Sequence, residues 1–369
     1  MLHERLSRLQ GELQNLGLDC LTLIAGTNLK YMTGLSFHLM ERPVLGLFPA
    51  RGTPALVLPA LEITKLEAAR LYEITPFTYT DEQGPQEAVR QAVMALPEIQ
   101  RMGVEYLQMR VLELRLVQHH IPAAAVVDGT PAMDALRLHK GADEIAAMRE
   151  AVRISQEALR RVVAGVKPGM TEREIAGLLD LAQRQAGGAA EAFESIVLAG
   201  ANAANPHGVP GDYRVREGDV LLLDFGTTVG GYVSDITRTF FVGEPGAHAR
   251  EVYEVVRAAN EAGRAKAGPG VPCQEVDRAA RQVIEAAGYG RYFIHRTGHG
   301  LGMDPHERPY IIEGNEQLLE PGMTFTIEPG IYIPGEIGVR IEDNIVITDD
   351  GAESLTTFPR DLMVIGEAG

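Results

Sequence analysis

GDVLLLDFG, residues 218–226, aligns without a gap on GMTFTIEPG, residues 322–330. Gly218 matches Gly322, Asp224 matches Glu328 and Gly226 matches Gly330. Each stretch is a glycine, an apolar strand pattern, a carboxylate and a second glycine. A weaker match lies upstream of each. KPGMTEREIAGLLDLAQRQAGG, from Lys167, resembles GPGVPCQEVDRAARQVIEAAG, from Gly268. Both place Pro-Gly before a helix start, and Thr171 and Glu174 have capping-box spacing. Two matches in the same order, at nearly equal offsets, predict a duplicated half-domain.

The acids are the unusual feature of this repeat. LLLDFGTTVGGYVSD (221–235) reads as a hairpin bracketed by Asp224 and Asp235. A two-residue turn at Val229-Gly230 would set those acids opposite one another, on one face of the sheet. In GIYIPGEIGVRIED (330–343) a loop centred on Gly335 would set Glu328 opposite Glu342. Aspartate is depleted in strands and seldom buried unpaired, and facing like charges destabilise a sheet unless a cation lies between them. Either pair alone reads as a solvated hairpin face. Four carboxylates converging from two related halves read as a site for hard divalent cations. Two such ions balance four charges, and some carboxylates must then bridge at a metal spacing of about 3.5–4 Å.

Histidines add a softer donor. RTGHGLGMDPHERP (296–309) carries His299 and His306 among glycines that permit close backbone approach. NAANPHGVPGDYR (202–214) carries His207 in a loop pattern. A loop histidine taken singly reads as a surface residue. His299 stands apart because it approaches the second acid pair. One imidazole among four carboxylates points to Mn²⁺, with Co²⁺, Fe²⁺ or Zn²⁺ as alternatives.

Around this core, the 369 residues suffice for two domains. Residues 1–130 read as a mixed α/β unit. Short apolar runs such as CLTLIAG, VLGLFPA, ALVLPA and AAAVVDG alternate with helical patterns at 3–16, 60–72 and 85–97. Residues 140–369 form the second unit, opened by the helix pattern DEIAAMREAVRISQEALRRVVAG. A formal charge of −16 argues against a nucleic-acid surface. No signal peptide or membrane-spanning run is visible, and two cysteines, Cys20 and Cys273, are too few for a disulfide scaffold. A cytoplasmic protein is expected.

The motifs HGVPGDYRVREGDVLLLDFG, GGYVSDITRTF, GHGLGMDPHE, EPGMTFTIEPGIYI and VRIEDNIVIT resemble, in succession, those of the pita-bread metallopeptidases. The nearest resemblance is to the proline-specific branch, prolidase (Xaa-Pro dipeptidase) and aminopeptidase P. It covers about 140 to 365, and NLKYMTGL and ERPVLGLFP extend it into the first unit. The implied fold is a pita-bread α/β (α+β) catalytic domain after a smaller amino-terminal domain. The implied metal ligands are Asp224, Asp235, His299, Glu328 and Glu342, with Asp235 and Glu342 bridging. His207 and His306 match histidines that contact substrate, and Glu328 the proton carrier. Arg340, two residues before Glu342, shares its strand face and is expected to hold a ligand in place.

The implied reaction is hydrolysis of the Xaa-Pro bond of small peptides with a free amino terminus, by a homodimer. A dipeptidase should clamp the proline carboxylate with arginine. Some prolidases carry that arginine four residues after the second histidine, where this chain has Tyr310; Arg42 or Arg308 could substitute. An aminopeptidase P acting on longer peptides is the alternative enzyme. Creatinase is disfavoured by the intact ligand set, and methionine aminopeptidase by the amino-terminal unit. A non-catalytic pita-bread peptide-binding module would lack the ligands.

Overall fold

The computed structural model describes residues 2–69 and 72–366. The chain divides into two compact units, Met1–Arg137 and Leu138–Gly369.

The first unit is built on a six-stranded sheet. Its order is Thr75–Tyr79, Ala55–Pro59, Leu45–Pro49, Cys20–Ile24, Arg101–Val104, Ala125–Asp128. The central strands pair antiparallel and the flanking ones parallel. Cys20–Ile24 is buried along its whole length, as its unbroken apolar run predicts for a strand covered on both faces. Helix Leu2–Asn15 follows the leucine spacing, burying Leu9 and Leu13. The predicted helix over 60–72 is a 3₁₀ turn, Ala60–Glu62, running into Ile63–Ala68, and residues 70–71 lie outside the described residues. Two strands escaped the sequence pattern. Thr75–Tyr79 is a largely exposed edge strand containing Pro76, and Arg101–Val104 has only four residues, one of them glycine.

The second unit shows the predicted duplication in its backbone. Helices Glu172–Gln185 and Cys273–Ala286 occupy matching places and are each 14 residues long. The first is closed by the expected capping box. Thr171 Oγ1 accepts from Glu174 N at 3.1 Å, and Glu174 Oε2 accepts from Thr171 N at 2.7 Å. The paired glycines share the left-handed conformation: Gly169 (φ 95°) with Gly270 (78°), and Gly218 (89°) with Gly322 (88°). Gly218→Ala meets no neighbouring atom within 4 Å, so its cost is the backbone strain alone. It should lower stability by about 1–2 kcal/mol in urea unfolding. A variant as stable as the parent would show that this turn relaxes freely.

Each half carries one main sheet, antiparallel except where Val364–Ile365 joins the first in parallel. The first runs Val364–Ile365, Ile236–Val242, Val220–Phe225, Ile196–Ala199. The second runs Glu307–Ile311, Gly298–Gly300, Thr324–Ile327, Asp343–Thr348, Gly351–Ser354. Alternation along the strands decides what faces where. Leu221, Leu223 and Phe225 pack with Leu159, Ile175 and Leu179 of the preceding helix pair. Val220 and Leu222, with the same parity as Asp224, pack instead among residues of the second half such as Ile331 and Val339. In the second half Phe325 and Ile327 pack on Cys273 and Val276. Thr324, Thr326 and Glu328 have the other parity, as the repeat requires.

Candidate metal centre

The hairpin after Asp224 differs from its expected register. Thr237, not Asp235, lies opposite Asp224, and Val229 pairs with Tyr232. The turn is therefore Gly230-Gly231, both with positive φ (59° and 89°), as a two-residue I′-type hairpin demands. Asp235 is thereby the diagonal neighbour of Asp224 and still on its face. Between Phe225 and Thr227 the chain passes from the main sheet into a small one with Tyr232–Val233 and Ala190–Glu191, and Asp235 sits at that break. In the second half the expected centre at Gly335 holds. Ile333 pairs with Ile337 and Gly330 with Arg340, while Ile327 pairs with Asp343 in the neighbouring sheet. Glu328 and Glu342 occupy the interruption between those ladders. Asp235, Glu328 and Glu342 thus stand at breaks between ladders, whereas Asp224 lies within the first sheet, between Thr237 and Ile196.

His299 reaches the same place from the short strand Gly298–Gly300. A Cβ on Gly298 would lie 1.8 Å from Thr326 O, and one on Gly300 2.2 Å from Arg308 O. Only glycine lets this strand lie so close to its neighbours. His299 Nδ1 donates to Gly300 O at 3.1 Å, leaving Nε2 as the nitrogen turned toward the acids. That nitrogen lies 3.2 Å from Glu328 Oε1 and 3.7 Å from Asp235 Oδ2.

All five residues line one cavity of about 620 Å³ in the second unit, together with His207 and His306. Asp235, His299 and Glu342 each bring a ligand atom within 4.8 Å of the others. Asp224 Oδ1 and Glu342 Oε1 are buried, and neither has a hydrogen-bond partner among the described residues. Burial, then Glu342 and Asp224, push the Asp235 carboxyl well above the ordinary carboxylate range. Burial, then Glu328 and Asp224, do the same to Glu342. Burial also raises Glu328, but the hydrogen bond and charge of His299, with His295 and Arg340, bring it down to about 2. Buried oxygens without partners among the described residues, an imidazole nitrogen turned inward and mutually repelling acids fit a cation site. The donor set fits a pair of divalent ions.

Arg340 is buried and turned toward the acids. It pairs with Asp224, donates from Nη1 to Tyr332 OH at 2.7 Å, and donates from Nε to Thr237 Oγ1 at 3.1 Å. Thr237 in turn donates to Glu342 Oε2 at 2.6 Å. Arg340 thus touches Asp224 directly and Glu342 through Thr237. The adjacent Asp343 points the other way, into a buried cluster with Arg238, Arg360 and Asn260. Strand alternation thereby gives the neighbouring acids of Glu342-Asp343 separate duties.

His306 is exposed at the cavity, its ring centroid 3.9 Å from that of His299, and His207 is exposed on the loop opposite. Desolvation, then His299 and Arg296, hold the His306 imidazole below its ordinary range. Arg308 is exposed on strand Glu307–Ile311 and is not among the residues lining the cavity. Arg42 lies in the first unit, its guanidinium bidentate to Asp81 at 2.7 Å for both contacts. The sequence reading missed Thr237, His295, Arg296 and Tyr332. His295 Nε2 lies 2.9 Å from Tyr332 OH, and its Nδ1 donates to Arg296 O at 2.7 Å. A signal for Thr237 existed: it follows Asp235 by two residues and so shares its face.

Residues 146–349 match the model of metallopeptidase family M24, and residues 5–139 match the creatinase/prolidase amino-terminal domain. The chain belongs to metallopeptidase family M24, and its catalytic unit has the pita-bread fold. It is 38% identical to an Xaa-Pro dipeptidase from Lactobacillus helveticus, over 98% of this chain and 98% of that protein. A prolidase structure from Thermococcus sibiricus superposes with a TM-score of 0.94 at 34% identity, covering 99% of both chains. The dipeptidase PepE from Mycobacterium ulcerans superposes with a TM-score of 0.91 at 35% identity, covering 99% of this chain and 98% of that one.

Proposed function

We propose that this chain is a dinuclear-metal Xaa-Pro dipeptidase, acting on small peptides with a free amino terminus and proline second. The observation that carries the reading is the convergence of Asp224, Asp235, His299, Glu328 and Glu342, with buried unpartnered oxygens, in one cavity. The dipeptidase and prolidase names of full-length relatives support the substrate class.

In this reading those five side chains would hold two divalent ions. When bound, the ions would supply Lewis acidity that lowers the pKa of the attacking water to near neutrality. Glu328, ionised and on the cavity wall, takes a proton from that water and returns it to the departing proline nitrogen. An imide nitrogen leaves poorly unless protonated, so one group serving both ends shortens the path. His207 and His306 face the carbonyl oxygen, and a neutral imidazole at His306 can donate to the charge developing there. Arg340 fixes Asp224, and Thr237 fixes Glu342, which keeps the donor geometry from collapsing when the acids repel. Oxygen-rich donors with a single imidazole favour Mn²⁺ among the candidates. The cytoplasm and a homodimer belong to the same reading; both cysteines are buried free thiols, as a reducing compartment would keep them.

Hydrolysis of Ala-Pro and of the tripeptide Ala-Pro-Ala, with Mn²⁺ added, tests the reading. The dipeptide should be the better substrate. Cleavage of the tripeptide alone would make the protein an aminopeptidase P. Absence of both activities, together with no stoichiometric metal, would make it a binding module.

A further inference from the structure

An Xaa-Pro dipeptide ends in a carboxylate beside its pyrrolidine ring, and the cavity that must receive it is already lined by acids. Two divalent ions offset the four carboxylates that hold them and leave no surplus for a fifth. A positive side chain is required, and a guanidinium suits a carboxylate best because its fork binds both oxygens.

Only two arginines, and no lysine, line the cavity among the described residues. Arg340 is spent, since its nitrogens already serve Asp224, Tyr332 and Thr237. Arg296 is different. It is half-buried, and its guanidinium has no hydrogen bond or ion pair to any described residue. Its guanidinium carbon lies 4.4 Å from the ring centroid of Tyr310, a cation–π contact. Stacking on an aromatic face fixes a guanidinium plane and leaves its N–H edges free to donate. Phe193, Val209 and Ile312 line the same cavity and supply the apolar surface a pyrrolidine ring needs.

We propose that Arg296, seated over the Tyr310 ring, receives the proline carboxylate and makes this chain prefer dipeptides. Tyr310 serves as the platform for the cation at position 296. The proposal rests on the Xaa-Pro dipeptidase reading.

The test compares Ala-Pro with Ala-Pro amide, which lacks the charge, in the Mn²⁺-loaded enzyme. Arg296→Ala should lower kcat/KM for Ala-Pro by at least about 30-fold, chiefly through KM, the low end for losing a charged partner. The ratio of Ala-Pro to its amide should fall by a similar factor. Arg296→Lys should recover part of that ratio, because it restores the charge without the fork. Tyr310→Phe should keep the ratio, and Tyr310→Ala should lower it in part. Thermal midpoints report folding, and Arg296→Lys with Tyr310→Ala carry the test if Arg296→Ala folds poorly. A ratio in Arg296→Ala within about threefold of wild type, well short of the loss of a charged contact, overturns the proposal. So does a collapse of the ratio in Arg42→Ala or Arg308→Ala instead. A wild-type enzyme that cleaves the amide but not Ala-Pro fails at an earlier point: the dipeptidase reading itself is then wrong, and the proposal with it.

Discussion

Exhaustive chelation is expected to abolish peptidase activity and lower the thermal midpoint, with both restored by Mn²⁺. The reason lies in the cluster itself. Asp224 Oδ1 and Glu342 Oε1 are buried without partners, and Asp235 and Glu342 are each raised by burial and by neighbouring acids. Removing the cations leaves those charges to repel across a cavity of low polarity. Ligand held at a thousand times its dissociation constant stabilises by about 4 kcal/mol, and that stabilisation is what chelation forfeits. The pH dependence has a definite sign. A carboxyl whose folded pKa is raised contributes stability that is present in acid and lost as pH rises through that pKa. The metal-free protein should therefore weaken from acid toward neutral pH, while the loaded protein gains as its ligands deprotonate. The gap in midpoint between chelated and loaded enzyme should widen as the pH rises. Full activity in a preparation verified to be free of metal would falsify the dinuclear mechanism.

The repeat that frames this site was readable because its determinants are local. A glycine that must adopt positive φ, a Pro-Gly before a helix and a capping box each act within a few residues, and all recur in both halves. Strand 220–225 was readable for another reason: burial on both faces makes it an almost unbroken apolar run, so the one acid in it stands out. Register was less legible. Val229-Gly230 and Gly230-Gly231 are both plausible turns, and a shift of one residue in the turn moves the pairing of Asp224 from Asp235 to Thr237. The face survived the error because the pairing shifted by two residues, which preserves parity. His295, Tyr332 and Arg296 were illegible because nothing local marks them. They matter only through contacts between the two halves or across neighbouring strands, such as His295 with Tyr332 over 37 residues of sequence. Thr75–Tyr79 and Arg101–Val104 were missed on the same principle. Short or exposed strands are specified by the sheet they join more than by their own pattern.

Glu328→Gln should lower turnover on an Xaa-Pro dipeptide by at least about 10²-fold, the usual scale for losing a general acid–base. The substitution is nearly isosteric, and the local structure should tolerate it. The backbone N–H of Glu328 donates to Thr297 O at 2.8 Å, which does not involve the side chain. Thr326 Oγ1, 3.3 Å from Glu328 Oε1, can donate equally well to an amide oxygen. What changes is the proton. A carboxylate can accept a proton and give it back, whereas an amide can do neither. The change also weakens a ligand, so the fall in rate has two candidate causes that metal content separates. A variant that holds two Mn²⁺ per chain yet has lost turnover assigns the proton transfer to Glu328. A variant whose activity returns when Mn²⁺ is raised reduces Glu328 to a ligand. Turnover within a few-fold of wild type at ordinary Mn²⁺ removes it from the reaction, and the proton would then have to travel by another titratable group exposed at the cavity, such as His207, His306 or Glu194.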